Sequence, residues 1–176
     1  YWKVIANNSE LSLHDIAALR AINNISIVAP ADNFETRESI KLAAEMQSPV
    51  YIRFGKRAIE HVHKPNTAFE LGKAITIREG DDVAFIASGE TVVQSLLAAQ
   101  LLEQKGISCR VVSMHTIKPL DGEAVIAAAR KCRAIITVEE HLVFGGLGEA
   151  CAAHLMQAGI SLPFKIVGIS DEYTAT

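Results

Sequence analysis

The stretch Val83-Ala84-Phe85-Ile86-Ala87-Ser88-Gly89-Glu90-Thr91-Val92-Val93-Gln94-Ser95-Leu96-Leu97 decides the fold class. Its first five residues are a continuous apolar run closed by Ser88-Gly89, the pattern of a strand buried on both faces. From Thr91 the pattern changes. Val92, Leu96, Leu97 and Leu101 recur at helical spacing, which predicts a helix to Lys105. Gly106 then stands where a helix turns into a left-handed residue at its C-terminal end. A second apolar run, Cys109–Met114, follows. Strand, helix and strand in succession imply a parallel pair joined by a crossover.

The same alternation extends in both directions. Toward the C-terminus come a turn at Lys118-Pro119-Leu120-Asp121 and a helix over Glu123–Lys131 opened by Asp121 or Gly122. A strand at Ala134–Val138, a helix from Gly146 to Ala158 stopped by Gly159, and a last strand at Pro163–Val167 complete it. Toward the N-terminus, Glu79-Gly80-Asp81-Asp82 reads as a turn and Ala68–Ile77 as a short entry strand or hairpin. Gly55–Asn66 carries Lys56, Arg57, His61, His63, Lys64 and Pro65 without a sustained period, as a linker does. Before it lie a strand at Pro49–Phe54 and a helix to about Met46 capped by Asp32 or Asn33. A β-branched strand at Ile25–Val28 and a helix over Ser9–Ile22, capped by Ser9 or Ser12 and ended by Asn23-Asn24, precede those. The expected architecture is therefore α/β, with three-layer open sheets: a partial domain over residues 1–56, a linker over 57–67 and a complete domain over 68–176.

Composition narrows the function classes. Apolar residues make up 49% and charged residues 21%, as in an ordinary globular protein. A net charge of −3 offers no basic field for nucleic acid or anionic lipid. The longest apolar runs, such as Ala124–Ala129, fall far short of the ~20 residues of a membrane span. Tyr1-Trp2-Lys3-Val4-Ile5 lacks the layout of a signal peptide, so a cytoplasmic location is expected. Cys109, Cys132 and Cys151 are odd in number and lie inside apolar elements, the usage of buried, reduced thiols.

Three constellations carry candidate chemistry. In Glu139-Glu140-His141-Leu142-Val143-Phe144-Gly145-Gly146-Leu147-Gly148, glycines stand between a strand end and a helix start, where free amides attract anions. The G-G-x-G spacing departs from the dinucleotide fingerprint. Glu140 with His141 reads either as a general-base pair or as part of a polar loop bracing a neighbouring domain or subunit. Arg53, Lys56 and Arg57 just beyond a strand form either a phosphate grip or a solvated basic linker. In Leu13-His14-Asp15-Ile16-Ala17-Ala18-Leu19-Arg20, adjacent helical residues diverge, so structural roles are expected; Asp15 and Arg20 are five apart, off the favoured spacing. No zinc, Walker or serine-elbow signature is present, and no metal ligand or catalytic residue is nominated.

Taken in order, several of these segments resemble the transketolase family. Leu13–Ile25 is similar to its E-D-x-A-x-x-R-x-x-P-N-M run, Val28-Ala29-Pro30-Ala31-Asp32 to its V-x-P-x-D turn, and Pro49–Arg53 to the strand closing its pyrimidine-binding domain. Ala87–Val92, His115-Thr116-Ile117-Lys118-Pro119-Leu120-Asp121, the Glu139–Gly148 stretch and Gly168–Tyr173 resemble parts of its C-terminal domain. The resemblance implies a partial pyrimidine-binding domain (1–56) followed by a transketolase C-terminal domain (68–176). It further implies a thiamine-diphosphate- and Mg²⁺-dependent enzyme that transfers two-carbon ketol units between sugar phosphates in pentose-phosphate-type metabolism. A homodimer follows, together with an N-terminal subunit or segment that binds the cofactor, so that this segment alone binds none and is inactive. Related readings are deoxyxylulose-phosphate synthase, a 2-oxoacid dehydrogenase β subunit, or a non-catalytic assembly module. The family's phosphate-gripping arginine falls on Lys56, with Arg53 near it; Lys keeps the charge and loses the bidentate fork. Glu140, His141, Gly145 and Gly146 fall on an interface loop. Where the family has G-x-D-G-x-(S/T)-H-Q, this chain reads Ala6–Leu11, which implies either a different substrate or a loop missing near residues 5–8.

Overall fold

A computed structural model describes residues 4–7, 13–55 and 61–171. In chain order its elements are β1 (Val4–Asn7), α1 (Asp15–Arg20), β2 (Ser26–Val28), α2 (Asn33–Glu45) and β3 (Val50–Phe54). Then come β4 (Ile75–Arg78), β5 (Val83–Ala87), α3 (Thr91–Glu103), β6 (Cys109–Ser113), β7 (Thr116–Lys118), α4 (Gly122–Lys131), β8 (Ala134–Leu142), α5 (Leu147–Gln157) and β9 (Phe164–Ile169).

The strands form two sheets, β1-β3-β2-β7 and β4-β6-β5-β8-β9. The larger one is the crossover structure anticipated from Val83 onward. β5 pairs in parallel with β6 and β8, and β8 with β9. Side-chain alternation along β5 explains why no residue there is polar: Ala84 and Ile86 face one core with Met114, Val125 and Leu147. Phe85 and Ala87 face the other core, with Val92 and Ala99 of α3. Helices on both faces of one sheet give three layers. Asp32 and Asp121 cap α2 and α4, accepting the amides of Glu35 and Ala124 at 3.0 Å each.

Four local expectations change. The helix expected over Ser9–Ile22 has His14 at its N-cap and spans only Asp15–Arg20; Ser9 and Ser12 lie outside the described residues. Strand β7, within and just before the expected turn at 118–121, leaves its own half of the chain and pairs antiparallel with β2, closing the first sheet. The entry strand expected within Ala68–Ile77 is β4, displaced to Ile75–Arg78, and it joins the second sheet antiparallel to β6. Finally, β8 does not stop at Val138 but runs on through Glu139, Glu140 and His141.

The two sheets are joined by more than the connecting segment. Ala29 N donates to His115 O at 2.8 Å, Gly89 N to Ala29 O at 2.9 Å, and Leu142 N to Leu13 O at 3.1 Å. Backbone groups at the boundary are thus satisfied across it.

Candidate functional site

Arg53 lies near the end of β3 in a strand of otherwise uncharged side chains, so its guanidinium must find a partner beneath the surface. It finds Asp15, the first residue of α1. Arg53 Nε stands 3.3 Å from Asp15 Oδ2, with each side chain only 8% exposed. Tyr51, two residues earlier and so on the same face of β3, donates its hydroxyl to that same oxygen at 2.5 Å. Burial and the bond to Asp15 push the Tyr51 phenol far above its ordinary range, which keeps it a donor. From the other side, Arg53 Nη1 reaches Glu140 Oε2 on β8 at 3.5 Å. A buried carboxylate, a buried cation and a half-exposed carboxylate therefore form one chain across the boundary.

His141, next in sequence, is fully buried and faces α1 instead. Its Nδ1 donates to Leu142 O at 2.8 Å, and its Nε2 accepts the Ala17 amide at 3.3 Å. Those roles require the neutral ring with its proton on Nδ1. Burial pushes the imidazole below its ordinary value; the Leu142 carbonyl and Asp15 oppose that without overcoming it. The N-cap residue His14 makes no side-chain cap hydrogen bond, and His141 supplies a cap to α1 from 124 residues away.

The glycine stretch turns out to be filled from within. Glu139 is 3% exposed and its two oxygens accept the amides of Leu147 (2.7 Å) and Gly148 (2.8 Å), the first turn of α5. The helix N-terminus that the sequence offered as free for an anion is already taken by this chain's own carboxyl group, whose pKa burial pushes up while the amides of Gly148 and Leu147 oppose the shift. A Cβ on Gly146 would sit 1.9 Å from Glu139 Oε2, and one on Gly148 2.6 Å from Ile166 Cγ2. Gly145 combines a φ of 72° with a would-be Cβ 2.4 Å from that of Ala17, so α1 rests directly on its backbone. Arg20 closes the contact, donating to the carbonyls of Gly145 (2.5 Å) and Gly146 (2.9 Å).

Arg53, Glu140, His141, Gly145 and Gly146 thus come together at one junction, while Lys56 lies outside the described residues, as do positions 8–12. Asp15 pairs with Arg53 rather than Arg20. Sequence reading missed Asp15, Tyr51 and Glu139 as members. The lone cation in β3 was the signal that a buried acid lay nearby. It missed a second polar cluster too, in which His63 contacts Asp32 at 2.8 Å and Glu35 at 3.0 Å. Among the described residues no group of three or more His, Cys, Asp or Glu is placed to hold a metal ion. With Glu139 occupying the amides of Leu147 and Gly148, the start of α5 is not open to a diphosphate.

Residues 72–176 match the model of the transketolase C-terminal domain, and residues 8–61 that of the transketolase pyrimidine-binding domain. The chain belongs to the transketolase family. Among its relatives in that family is one of the subunits of the apulose-4-phosphate transketolase of Phocaeicola vulgatus. The two are 45% identical over 163 residues, covering 92% of this chain and 51% of the relative. To the 6-deoxy-6-sulfo-D-fructose transketolase subunit of a Clostridium species it is 37% identical, covering 93% of this chain and 50% of that one. The chain spans about half the length of the curated relatives it matches. A solved structure described as a split gene transketolase, an inactive β4 tetramer, superposes with a TM-score of 0.92 at 38% identity, covering 98% of this chain and 59% of that one.

Proposed function

We propose that this chain is the C-terminal part of one subunit of a split transketolase-type transferase. It comprises the end of the pyrimidine-binding domain (1–56), a connecting segment (57–67) and the C-terminal domain (68–176). The observation that carries the reading is the match, over nine-tenths of the chain, to proteins named as transketolase subunits. In the whole enzyme a separate N-terminal subunit supplies the binding site for thiamine diphosphate and Mg²⁺, and a two-carbon ketol unit moves between sugar phosphates in a dimeric assembly. A cytoplasmic setting fits the three free, buried cysteines. No helix among the described residues is long and apolar enough to cross a membrane.

Within that enzyme the junction is an assembly element. Asp15, Arg20, Arg53, Glu140, His141 and the backbone of Gly145 and Gly146 pair with one another, although Asp15 Oδ1 and Arg53 Nη2 have no hydrogen-bond partner among the described residues. Lys56, beyond the β3 end, takes the substrate phosphate. Arg53 adds its charge from behind, although Asp15 faces its Nε and Glu140 its Nη1.

The test is reconstitution. The longer protein bearing this chain, mixed with its N-terminal subunit, thiamine diphosphate and Mg²⁺, should transfer ketol units from a ketose phosphate to an aldose phosphate. Neither protein should do so alone. Transfer by the chain-bearing protein alone would overturn the split-enzyme reading.

A further inference from the structure

We propose that His63 is a latch: while protonated, it fastens the segment entering the second sheet to the first turn of α2, and loss of its proton releases that segment. The placement carries the argument. His63 is 2% exposed and stands between two carboxylates whose side chains are fully buried. Its Nδ1 lies 2.8 Å from Asp32 Oδ2 and its Nε2 lies 3.0 Å from Glu35 Oε1. The second approach is off line for a hydrogen bond and acts as a charge contact. A neutral ring would set a nitrogen lone pair against one of those oxygens, so only the imidazolium suits both.

The carboxylates are themselves tied to several elements. Asp32 accepts the amides of Glu35 (3.0 Å) and Val62 (3.1 Å), so one side chain bonds both the helix start and the incoming segment. Glu35 accepts the Ala31 amide and the hydroxyl of Ser113 at the end of β6, each at 2.6 Å. Val62 and Ala31 pack into the core beneath α3. First sheet, connecting segment and second sheet therefore meet at one imidazolium. Removing its charge leaves two buried carboxylates facing each other without a cation.

Among the described residues, the other charged or titratable groups around it do not replace that cation. His61 is 71% exposed, with Nδ1 4.0 Å from Asp32 Oδ2. His115, fully buried between β6 and β7, has its pKa pushed down, first by burial. Arg37 lies over the outer Phe34 ring, 5.9 Å from its centroid, while Phe34 itself is tilted against His63. Burial disfavours a charged His63, but the Asp32 hydrogen bond and the close charges of Glu35 and Asp32 overrule it and hold the ring up at about 9. Burial likewise opposes ionisation of Asp32, yet His63 and the amides of Glu35 and Val62 hold it down at about 2. A group whose folded pKa lies above its free value of 6.5 stabilises fully below that value. The stabilisation drains away as pH rises toward about 9 and is gone above it.

The experiment is a pH titration of the full chain by NMR, following the His63 ring and the exchange of the Val62 amide. The ring should titrate near pH 9. Across the interval between the two pKa values, Val62 exchange should rise about tenfold per pH unit beyond its intrinsic base-catalysed increase. In His63→Gln, Val62 should be unprotected already at neutral pH, with no excess slope. A His63 ring titrating near its free value in the wild-type chain would overturn the latch, as would full Val62 protection in His63→Gln. The wild-type titration decides alone if that variant does not fold.

Discussion

His63 and His141 are both buried histidines at the boundary between the two sheets, and they work in opposite charge states. His63 sits against two carboxylates and is held as a cation. His141 donates to a carbonyl, accepts an amide and is held neutral. Burial pushes both pKa values down. What differs is the second neighbour of each ring. Asp15 stands 3.9 Å from His141, but its charge is already met by Arg53 and Tyr51, so little is left to draw a proton onto the ring. A buried histidine is thus held as a cation where carboxylates reach it closely and no arginine meets them, and neutral where the acid stands farther off and already faces an arginine.

The comparison breaks most severely at Arg53. Arg53→Ala removes the cation from a buried Asp15 and should cost ~3–5 kcal/mol in denaturant unfolding. It should also free Asp15 to raise the His141 pKa, making His141 behave more like His63. Arg53→Ala together with Asp15→Asn should recover much of the stability, since no charge is left orphaned. Gly145→Ala should come next, at ~1–3 kcal/mol, because the new methyl meets Ala17 in a left-handed backbone position. The effect of pH is smaller. A histidine whose folded pKa is lowered stabilises above its free value of 6.5 and loses that contribution as pH falls through the folded value. Wild-type chain should therefore weaken on acidification below that free value, and His141→Ala should flatten that limb while leaving the alkaline limb of His63 intact. Least of all, Arg133→Ala at the exposed pair with Asp82 should leave the denaturant midpoint unchanged within the error of the measurement.

Much of the larger sheet was legible. The β5 run Val83–Ala87 and the α3 start at Thr91 coincide with the expected positions, because an uninterrupted apolar strand followed by a helical stripe has few other solutions. Strand β8 was cut short because its period-two burial continues through Glu139 and His141, which are buried but polar. Hydrophobicity ends at Val138; alternation does not. Strand β7 is three residues long and pairs with a strand almost 90 positions earlier, so no local signal marks it. At the site, the residue types were visible and their partners were not. Arg53 and Asp15 lie 38 positions apart, and His141 caps a helix from 124 away. Pairings of that range are fixed by topology, which local spacing does not report. Gly145 and Gly146 mark a loop between strand and helix in the sequence, but only the buried position of Glu139 shows that the helix start behind them is filled from within.

The central claim is that the charged residues at the boundary hold the chain together and do no acid–base chemistry. Its most direct test is the Glu140→Ala, His141→Ala double variant in the reconstituted enzyme, with melting temperature, sedimentation and turnover measured on one preparation. The claim predicts a lower melting point or a weakened assembly, with turnover per intact assembly within a few-fold of wild type. Unchanged melting and assembly with turnover reduced by ~10²–10⁴, the loss that follows removal of a true acid–base group, would contradict it.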